Sequence, residues 1–276
     1  MGPRTVNTPR SPIVFSHANS FPAATYRSLF KVLEDAGYEV LALDKFGHDP
    51  RYPVTTNWPH LVEQLRDFIE KHAGQPAILI GHSLGGYLSA MVASQYPHLA
   101  SALILLDSPI LSGWKAASLG VVKRVGGIDR IMPSGVSAQR CHQWSSLEAA
   151  RQHFTAKPKF AAFSPSVLRD YIHEGTEERA GGQTRHLSFD REIETQIYRT
   201  MPHTLARDLR RRPIQCPAAF IAGTRSREIK AVGIRASQQL VNGNLSWIKG
   251  SHLYPMEHPQ ATGHEVLRWL SVLHHA

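Results

Sequence analysis

Apolar runs and helical patterns alternate along the first hundred residues of the chain. Mainly apolar runs stand at residues 12–15, 38–43, 77–80 and 102–106. Between them, apolar residues recur at helical spacing, as in Tyr26-Leu29-Phe30-Leu33. Runs of this kind are typical of strands buried on both faces, in a parallel sheet covered by helices. The pattern predicts an α/β fold with a mostly parallel central sheet flanked by helices.

The alternation stops between about residues 112 and 201. This stretch has no convincing strand pattern, and short helical patterns appear at residues 146–154, 166–171 and 192–200. Strand patterns return at residues 217–221 and 245–248, before a closing helix. We therefore expect a core domain formed by residues 1–111 and 202–276, with residues 112–201 inserted as a helical cap.

Composition limits the classes of function. The chain has 276 residues, with 42 % hydrophobic and 19 % charged residues, which is ordinary for a soluble globular protein. The net charge is +9, but the only dense basic cluster, Arg207 and Arg210–Arg212, is more typical of a solvated helix end than of a nucleic-acid site. No apolar run approaches the roughly 20 residues of a membrane span. We expect neither a nucleic-acid partner nor a membrane span.

The cysteines and the N-terminus suggest a compartment. Cys141 and Cys216 are far apart in sequence and do not suggest a disulfide scaffold, so we expect both to be reduced and packed. The first eleven residues contain no apolar segment of the kind found in secretory signals. A cytoplasmic location is expected.

The sequence Gly81-His82-Ser83-Leu84-Gly85 follows the apolar run at 77–80 and precedes a helical pattern. A serine on so sharp a turn needs backbone angles that crowd its neighbours, and glycines two residues away relieve the crowding. The hydroxyl of Ser83 can then project above the sheet as a nucleophile. The backbone N–H of Leu84, at the start of the helix, would point toward an oxyanion.

A serine nucleophile needs a base, and histidine has a suitable pKa. Gly250-Ser251-His252 follows the last predicted strand, which favours His252 as the base. His258 is the alternative. His82 lies inside the turn and is expected to be structural.

These three motifs together resemble the α/β-hydrolase superfamily. His17 follows the first strand, the Ser83 motif stands in the middle and His252 stands near the end, in the family's order. The resemblance implies the α/β-hydrolase fold, and an esterase-like serine hydrolase with a catalytic triad and an oxyanion hole. Residues 17–22 resemble the family's oxyanion loop with two residues added, so either Asn19 or Phe21 would supply the second backbone N–H.

The acid is the point at which the sequence departs from the family. The family's aspartate stands three residues after a glycine that ends the penultimate strand, and here that position is Ser226. Asp107, at the end of the strand after the nucleophile helix, occupies a position that some α/β-hydrolases use for the acid. Glu228 is the alternative. Asp107 is favoured.

The resemblance implies cleavage of an ester or thioester in a small-molecule acyl substrate, through an acyl-enzyme on Ser83. No cofactor and no metal are expected, and a homodimer is possible. His17, Trp114 and Tyr198 are candidates for the substrate pocket. Two alternatives remain open at this point: perhydrolase or C–C hydrolase chemistry with the same triad, and a non-catalytic scaffold that binds a small ligand.

Overall fold

The computed structural model describes residues 10–124, 134–178 and 184–274. Its strands are β1 (Ile13–Ser16), β2 (Val40–Ala42), β3 (Ala77–His82), β4 (Ala100–Leu106), β5 (Gln143–Trp144), β6 (Thr176–Glu178), β7 (Arg185–Leu187), β8 (Ala218–Gly223) and β9 (Leu245–Ile248). Six of them form a parallel sheet in the order β2-β1-β3-β4-β8-β9. The predicted parallel sheet flanked by helices is confirmed.

Helices lie on both faces of this sheet and in the segment between β4 and β8. In the described ranges they are α1 (Arg27–Asp35), α2 (Pro59–His72), α3 (Leu84–Gln95), α4 (Gly113–Arg124), α5 (Ser134–Gln139), α6 (Leu147–Thr155), α7 (Pro158–Ala161), α8 (Pro165–Glu174), α9 (Arg191–Arg199), α10 (Leu205–Arg211), α11 (Arg227–Val232), α12 (Arg235–Leu240), α13 (Tyr254–Glu257) and α14 (Pro259–Leu273). Buried side chains of α1 and α14 join one core, and those of α2 and α3 join the other.

Alternation along the strands separates the two cores. Ile13 and Phe15 of β1 face the core of α1 and α14, whereas Val14 faces that of α2 and α3. The same alternation recurs in β3 and β4. Successive side chains of a strand point to opposite faces, so a central strand must be apolar at nearly every position. This explains the uninterrupted apolar runs in the sequence.

The order of the strands determines where a site can form. β1 lies between β2 and β3 in the sheet. The connection that leaves β1 leads to its neighbour on one side, β2, and the next connection crosses back to its neighbour on the other side, β3. Ligands of open α/β sheets bind at the carboxyl ends of the strands, where the order reverses in this way. The loop after β1 and the turn after β3 meet at this point.

Residues 108–217, after Asp107 and before β8, form the segment that we call the insertion. It holds α4–α10 and a small antiparallel sheet of order β5-β7-β6. The expectation that this region has no strands was wrong. These strands are only two or three residues long and largely polar, so no alternating apolar pattern marks them.

The two cysteines differ in their exposure to solvent. Both cysteines are free, but Cys141 is exposed, so the expectation that it is packed was wrong. Burial raises the pKa of the partly buried Cys216 thiol to about 11. Within the described residues, no helix has both the length and the apolarity needed to cross a membrane.

Candidate active site

Ser83 lies between β3 and α3 in a backbone conformation that residues with side chains rarely adopt, with φ 54° and ψ −114°. The flanking glycines make room for it. A Cβ at Gly81 would lie 2.3 Å from the backbone carbon of Gly85, and a Cβ at Gly85 would lie 2.0 Å from the Ser16 carbonyl oxygen. Both distances are far inside van der Waals contact, so this turn needs glycine at both positions.

His252, in the loop after β9, contacts the Ser83 hydroxyl. Its Nε2 lies 3.0 Å from Ser83 Oγ, and its Nδ1 lies 2.7 Å from Asp107 Oδ2. A carboxylate can only accept here, so Nδ1 carries the proton and Nε2 is free to accept the proton of Ser83. The Asp107 side chain is fully buried, and that of His252 is 17 % exposed. The three residues stand in the order and orientation of a serine–histidine–acid triad.

Asp107 is held by three donors. Its Oδ1 accepts from the Gly223 N–H at 2.7 Å, and its Oδ2 accepts from Ser226 Oγ at 2.5 Å as well as from His252. Asp107 follows β4 and Ser226 follows β8, and these two strands pair along Leu103–Leu106. Residues at the carboxyl ends of neighbouring parallel strands lie side by side, so either position can face the base. Glu228, the alternative acid, is 3.8 Å from His252 Nδ1, and its side chain is 47 % exposed.

The backbone groups proposed for an oxyanion hole lie in two loops. Leu84 is the first residue of α3. Phe21 donates its N–H to the Ala18 carbonyl at 3.2 Å. Within the described residues, the N–H groups of Leu84 and Asn19 donate to no protein acceptor. These two remain available to a ligand.

A buried carboxylate that the sequence analysis missed holds the loop after β1. Glu194 of α9 is 3 % exposed and accepts from Ser20 Oγ at 2.5 Å, from Ser137 Oγ at 2.9 Å and from Arg140 at 2.8 Å. Its backbone carbonyl accepts from Asn19 Nδ2 at 3.0 Å. Glu194 is thus fully satisfied by hydrogen bonds, and it ties the loop to the insertion. No local sequence signal marks it, since its partners lie in other elements.

His82 connects the same loop to the base. The Ala18 N–H donates to the Tyr26 hydroxyl at 3.1 Å, Tyr26 donates to His82 Nδ1 at 2.7 Å, and His82 Nε2 donates to the His252 carbonyl at 2.8 Å. Burial, and then the neighbouring His252, hold the pKa of His82 well below its ordinary value. His82 is therefore neutral, as one donating and one accepting nitrogen require.

A sequence model of the alpha/beta hydrolase family matches residues 13–264. The chain belongs to this family. A serine hydrolase-like protein of Dictyostelium discoideum is 23 % identical over 265 residues, which cover 90 % of this chain and 71 % of that protein. A pyrethroid hydrolase of Sphingobium wenxiniae is 32 % identical over 99 residues, and the match covers 35 % of either chain.

Solved structures of α/β hydrolases share the fold. The crystal structure of E-2-(acetamidomethylene)succinate hydrolase superimposes with a TM-score of 0.75 at 19 % identity, covering 94 % of this chain and 91 % of that one. A thioesterase domain from the curacin biosynthetic pathway gives a TM-score of 0.71 at 20 % identity, covering 94 % and 92 %. At such identities the likeness shows the α/β-hydrolase fold alone.

The three candidate pocket residues of this α/β hydrolase have different surroundings. His17 is buried, and its two ring nitrogens bond to the Ala18 carbonyl at 2.8 Å and the Phe46 N–H at 3.2 Å. Trp114 is 75 % exposed on α4. Neither placement supports a pocket role. Tyr198 is partly buried and hydrogen-bonds to Ser20 and Asn19 of the loop after β1, and burial raises its pKa to about 12.

Two of the triad residues and Glu228 also form a cluster of possible metal ligands. Asp107, Glu228 and His252 each offer one possible ligand atom, and these three atoms all lie within 4.8 Å of one another. Metal coordination by His252 Nδ1 requires a free lone pair, but this nitrogen donates its proton to Asp107. The donor set therefore fits a proton-transfer triad better than a metal site.

Proposed function

We propose that this chain is a serine hydrolase that cleaves an ester or thioester through an acyl-enzyme on Ser83. His252 is the general base, and Asp107 is the acid of the triad. The observation that carries the proposal is one hydrogen-bonded line: Ser83 Oγ to His252 Nε2 at 3.0 Å, and His252 Nδ1 to the buried Asp107 at 2.7 Å.

The geometry suggests how the proton moves. His252 Nε2 accepts the proton of Ser83 Oγ as the oxygen attacks the carbonyl carbon, and Asp107 stabilises the resulting imidazolium. The same nitrogen then protonates the leaving group as the tetrahedral intermediate collapses. In the second half, Nε2 takes a proton from water as the water oxygen attacks the acyl carbonyl. The imidazolium then returns this proton to Ser83 Oγ as the bond to the acyl group breaks and the carboxylic acid leaves.

The oxyanion of each tetrahedral intermediate needs donors that are already in place. We assign this role to the backbone N–H groups of Leu84 and Asn19. The Phe21 N–H already donates to the Ala18 carbonyl, which leaves Asn19 as the donor from the loop after β1. The hydrogen bond from the Asn19 side chain to Glu194 fixes the orientation of this residue.

Residues 112–201 are proposed to act as a lid over the site. Three residues of this segment contact the loop after β1. Glu194 accepts a hydrogen bond from Ser20 of the loop. The rings of Phe163 and Tyr171 pack against the Phe21 ring, with centroid distances of 6.1 Å and 5.4 Å. A wall built on the oxyanion loop can limit both water and the size of the acyl group.

Asp107 also bears on the alternative of a non-catalytic scaffold. That alternative rested on the absence of an aspartate at position 226. A buried carboxylate on the base removes its main support. Peroxide-dependent acyl transfer uses the same three residues, and activity assays with peroxide as the acceptor distinguish it from hydrolysis.

The test is covalent labelling with a fluorophosphonate, followed by peptide mapping. We expect stoichiometric modification of Ser83 in the wild type, and none in Ser83→Ala, which should also lose turnover of 4-nitrophenyl butyrate. Ser94→Ala, on the helix that follows Ser83 but outside the triad, is the matched control and should label fully. A folded wild type that neither labels nor turns over the ester would contradict the proposal.

A further inference from the structure

Lys159 of α7 reaches over the loop that follows β1. Its Nζ lies 5.0 Å from the ring centroid of Phe21 and 5.5 Å from that of Phe160. Both rings are 5 % exposed or less, and Phe21 belongs to the loop that carries the proposed oxyanion donor. The faces of two aromatic rings attract the ammonium group and hold it in one place. Part of the side chain remains exposed, so a small ligand can reach it.

The charged groups around this ammonium leave it without a counter-ion. Within the described residues, no carboxylate lies within ion-pairing distance of Lys159. Glu194 and Glu228 attract it from farther away, while Arg140 and Lys157 repel it. Glu194 is already bonded to Arg140 and two serines.

Lys159 has electrostatic neighbours that adjoin the triad. It interacts electrostatically with His82, which precedes Ser83, and with Glu228, which lies 3.8 Å from His252. Its contact with the Phe21 ring places the ammonium beside the loop that carries Asn19, the proposed oxyanion donor. An unpaired ammonium group held over two aromatic rings beside this loop is a suitable binding partner for an anionic group of a substrate.

We propose that Lys159 is the anion-binding residue of the active site, and that the substrate is an ester or thioester carrying an ionised carboxylate. This inference rests on the proposed function and specifies in addition that the substrate is negatively charged. The carboxylate binds between the Lys159 ammonium and the edge of the Phe21 loop, while the scissile carbonyl lies at Ser83. The carboxylate can belong to the acyl part or to the leaving group.

Three chromogenic esters separate these cases: neutral 4-nitrophenyl pentanoate, mono(4-nitrophenyl) glutarate and 3-carboxy-4-nitrophenyl pentanoate. We expect Lys159→Met to lower kcat/KM about 10- to 100-fold for one of the two anionic esters, and less than about threefold for the neutral ester. The affected ester identifies which part of the substrate carries the carboxylate. Lys159→Arg should recover part of the loss because it restores the positive charge.

Lys157→Met is the matched control. Lys157 is two residues away, and its Nζ lies 5.9 Å from the Phe154 ring, so this variant removes a similar cation from the same surface. It should leave the preference for the anionic ester within about twofold of the wild type. Equal losses for all three esters in Lys159→Met, or equal effects of both lysine variants, would overturn the proposal.

A binding measurement separates this inference from the proposed function. Calorimetry of glutarate binding to Ser83→Ala and to Ser83→Ala/Lys159→Met needs no turnover. Binding that is at least about tenfold weaker in the double variant supports the anion site, even if no ester is cleaved, and in that case only the proposed function fails. Glutarate affinity that is the same in both proteins overturns the anion site.

Discussion

Ser226 Oγ donates a hydrogen bond of 2.5 Å to Asp107 Oδ2. In much of the family, the catalytic aspartate would stand at the position of Ser226. Here Ser226 Oγ accepts a hydrogen bond from the Ile229 N–H at the start of α11. Its own O–H donates to the Asp107 carboxylate, which follows the neighbouring strand β4. In the proposed triad, the acid therefore stands after β4, and the residue after β8 hydrogen-bonds to it.

The first prediction concerns the choice between the two carboxylates. Asp107→Asn should lower kcat about 10³- to 10⁴-fold, because the amide no longer fixes the tautomer of His252 or stabilises its cation. Glu228→Gln should change kcat less than about threefold, since Glu228 is half exposed and 3.8 Å from Nδ1. Steady-state kinetics with 4-nitrophenyl butyrate measure both. The opposite ranking would assign the acid to Glu228.

The second prediction uses the proximity of Ser226 and Asp107. Asp107→Asn/Ser226→Asp should recover at least about tenfold of the kcat lost in Asp107→Asn, because a carboxylate at position 226 can approach His252 Nδ1. Aspartate also replaces serine well as the N-cap of α11. Asp107→Asn/Ser226→Asn, which lacks the charge, is the control. Equal kcat values for the two double variants would contradict this prediction.

The third prediction concerns Gly85, against which Ser16 packs. Gly85→Ala should destabilise the protein by about 3 kcal/mol or more, because the added Cβ would lie 2.0 Å from a backbone oxygen that cannot move easily. Gly74→Asn is the control, since Gly74 has φ +64° and nothing within 4 Å of an added Cβ. It should cost less than about 1 kcal/mol. Urea denaturation measures both; similar losses would refute the packing argument.

The fourth prediction concerns Glu194. Glu194→Gln removes the counter-ion of Arg140 and places an amide among three donors, so we expect a loss of about 3–5 kcal/mol in unfolding free energy. The loop carrying Asn19 should also lose its anchor, which lowers kcat more than it raises KM. Glu192→Gln, exposed on the same helix, should leave both quantities nearly unchanged. A stable Glu194→Gln with normal kcat would show that the anchor is dispensable.

The fifth prediction concerns acid stability. Burial lowers the pKa of His17 to about 4, from an ordinary value of 6.5. Between these values the unfolded chain binds more protons at this position than the folded one, so stability falls as the pH is lowered from 6.5 toward 4. His17 alone accounts for about 3 kcal/mol over this range, and its share of the slope approaches about 1.4 kcal/mol per pH unit near pH 5.5. The buried His82 acts in the same direction.

Unfolding free energies measured between pH 5 and 6.5 test this prediction. His17→Gln should have a flatter dependence on pH than the wild type. His264→Gln, which changes an exposed residue of α14, controls for the removal of a histidine as such. An equal change of slope in both variants would contradict the role of burial at His17.

The sequence was sufficient for features that depend on neighbours along the chain. The apolar run before Gly81 and the glycines around Ser83 are local, and they predict both the strand and the turn. Position 252 follows from its place after the last strand. The acid was harder to predict, because it depends on which strands lie side by side. Asp107 becomes the nearer carboxylate only because β4 pairs with β8.

Long-range contacts explain what the sequence did not predict. Glu194 meets Ser20 across 174 positions of the chain, and its own surroundings in the sequence read as an ordinary amphipathic helix. Among the short strands of the insertion, β5 also depends on a distant partner, because it pairs with β7 beyond α6, α7 and α8. Trp114 was a reasonable pocket candidate by residue type, but burial is a property of the fold, and this side chain is exposed.

The position of Asp107 has a consequence for how such a protein can diversify. Ser83 and Asp107, the proposed nucleophile and acid, are both held by the continuous unit β3-α3-β4, which is complete before the insertion begins. Of the three residues, only His252 comes after the insertion in the chain, in the loop that follows β9. Evolution can therefore lengthen, shorten or exchange the insertion, and with it the range of substrates, while two of the three reacting groups keep their spacing. An acid at position 226 would make that spacing depend on the insertion.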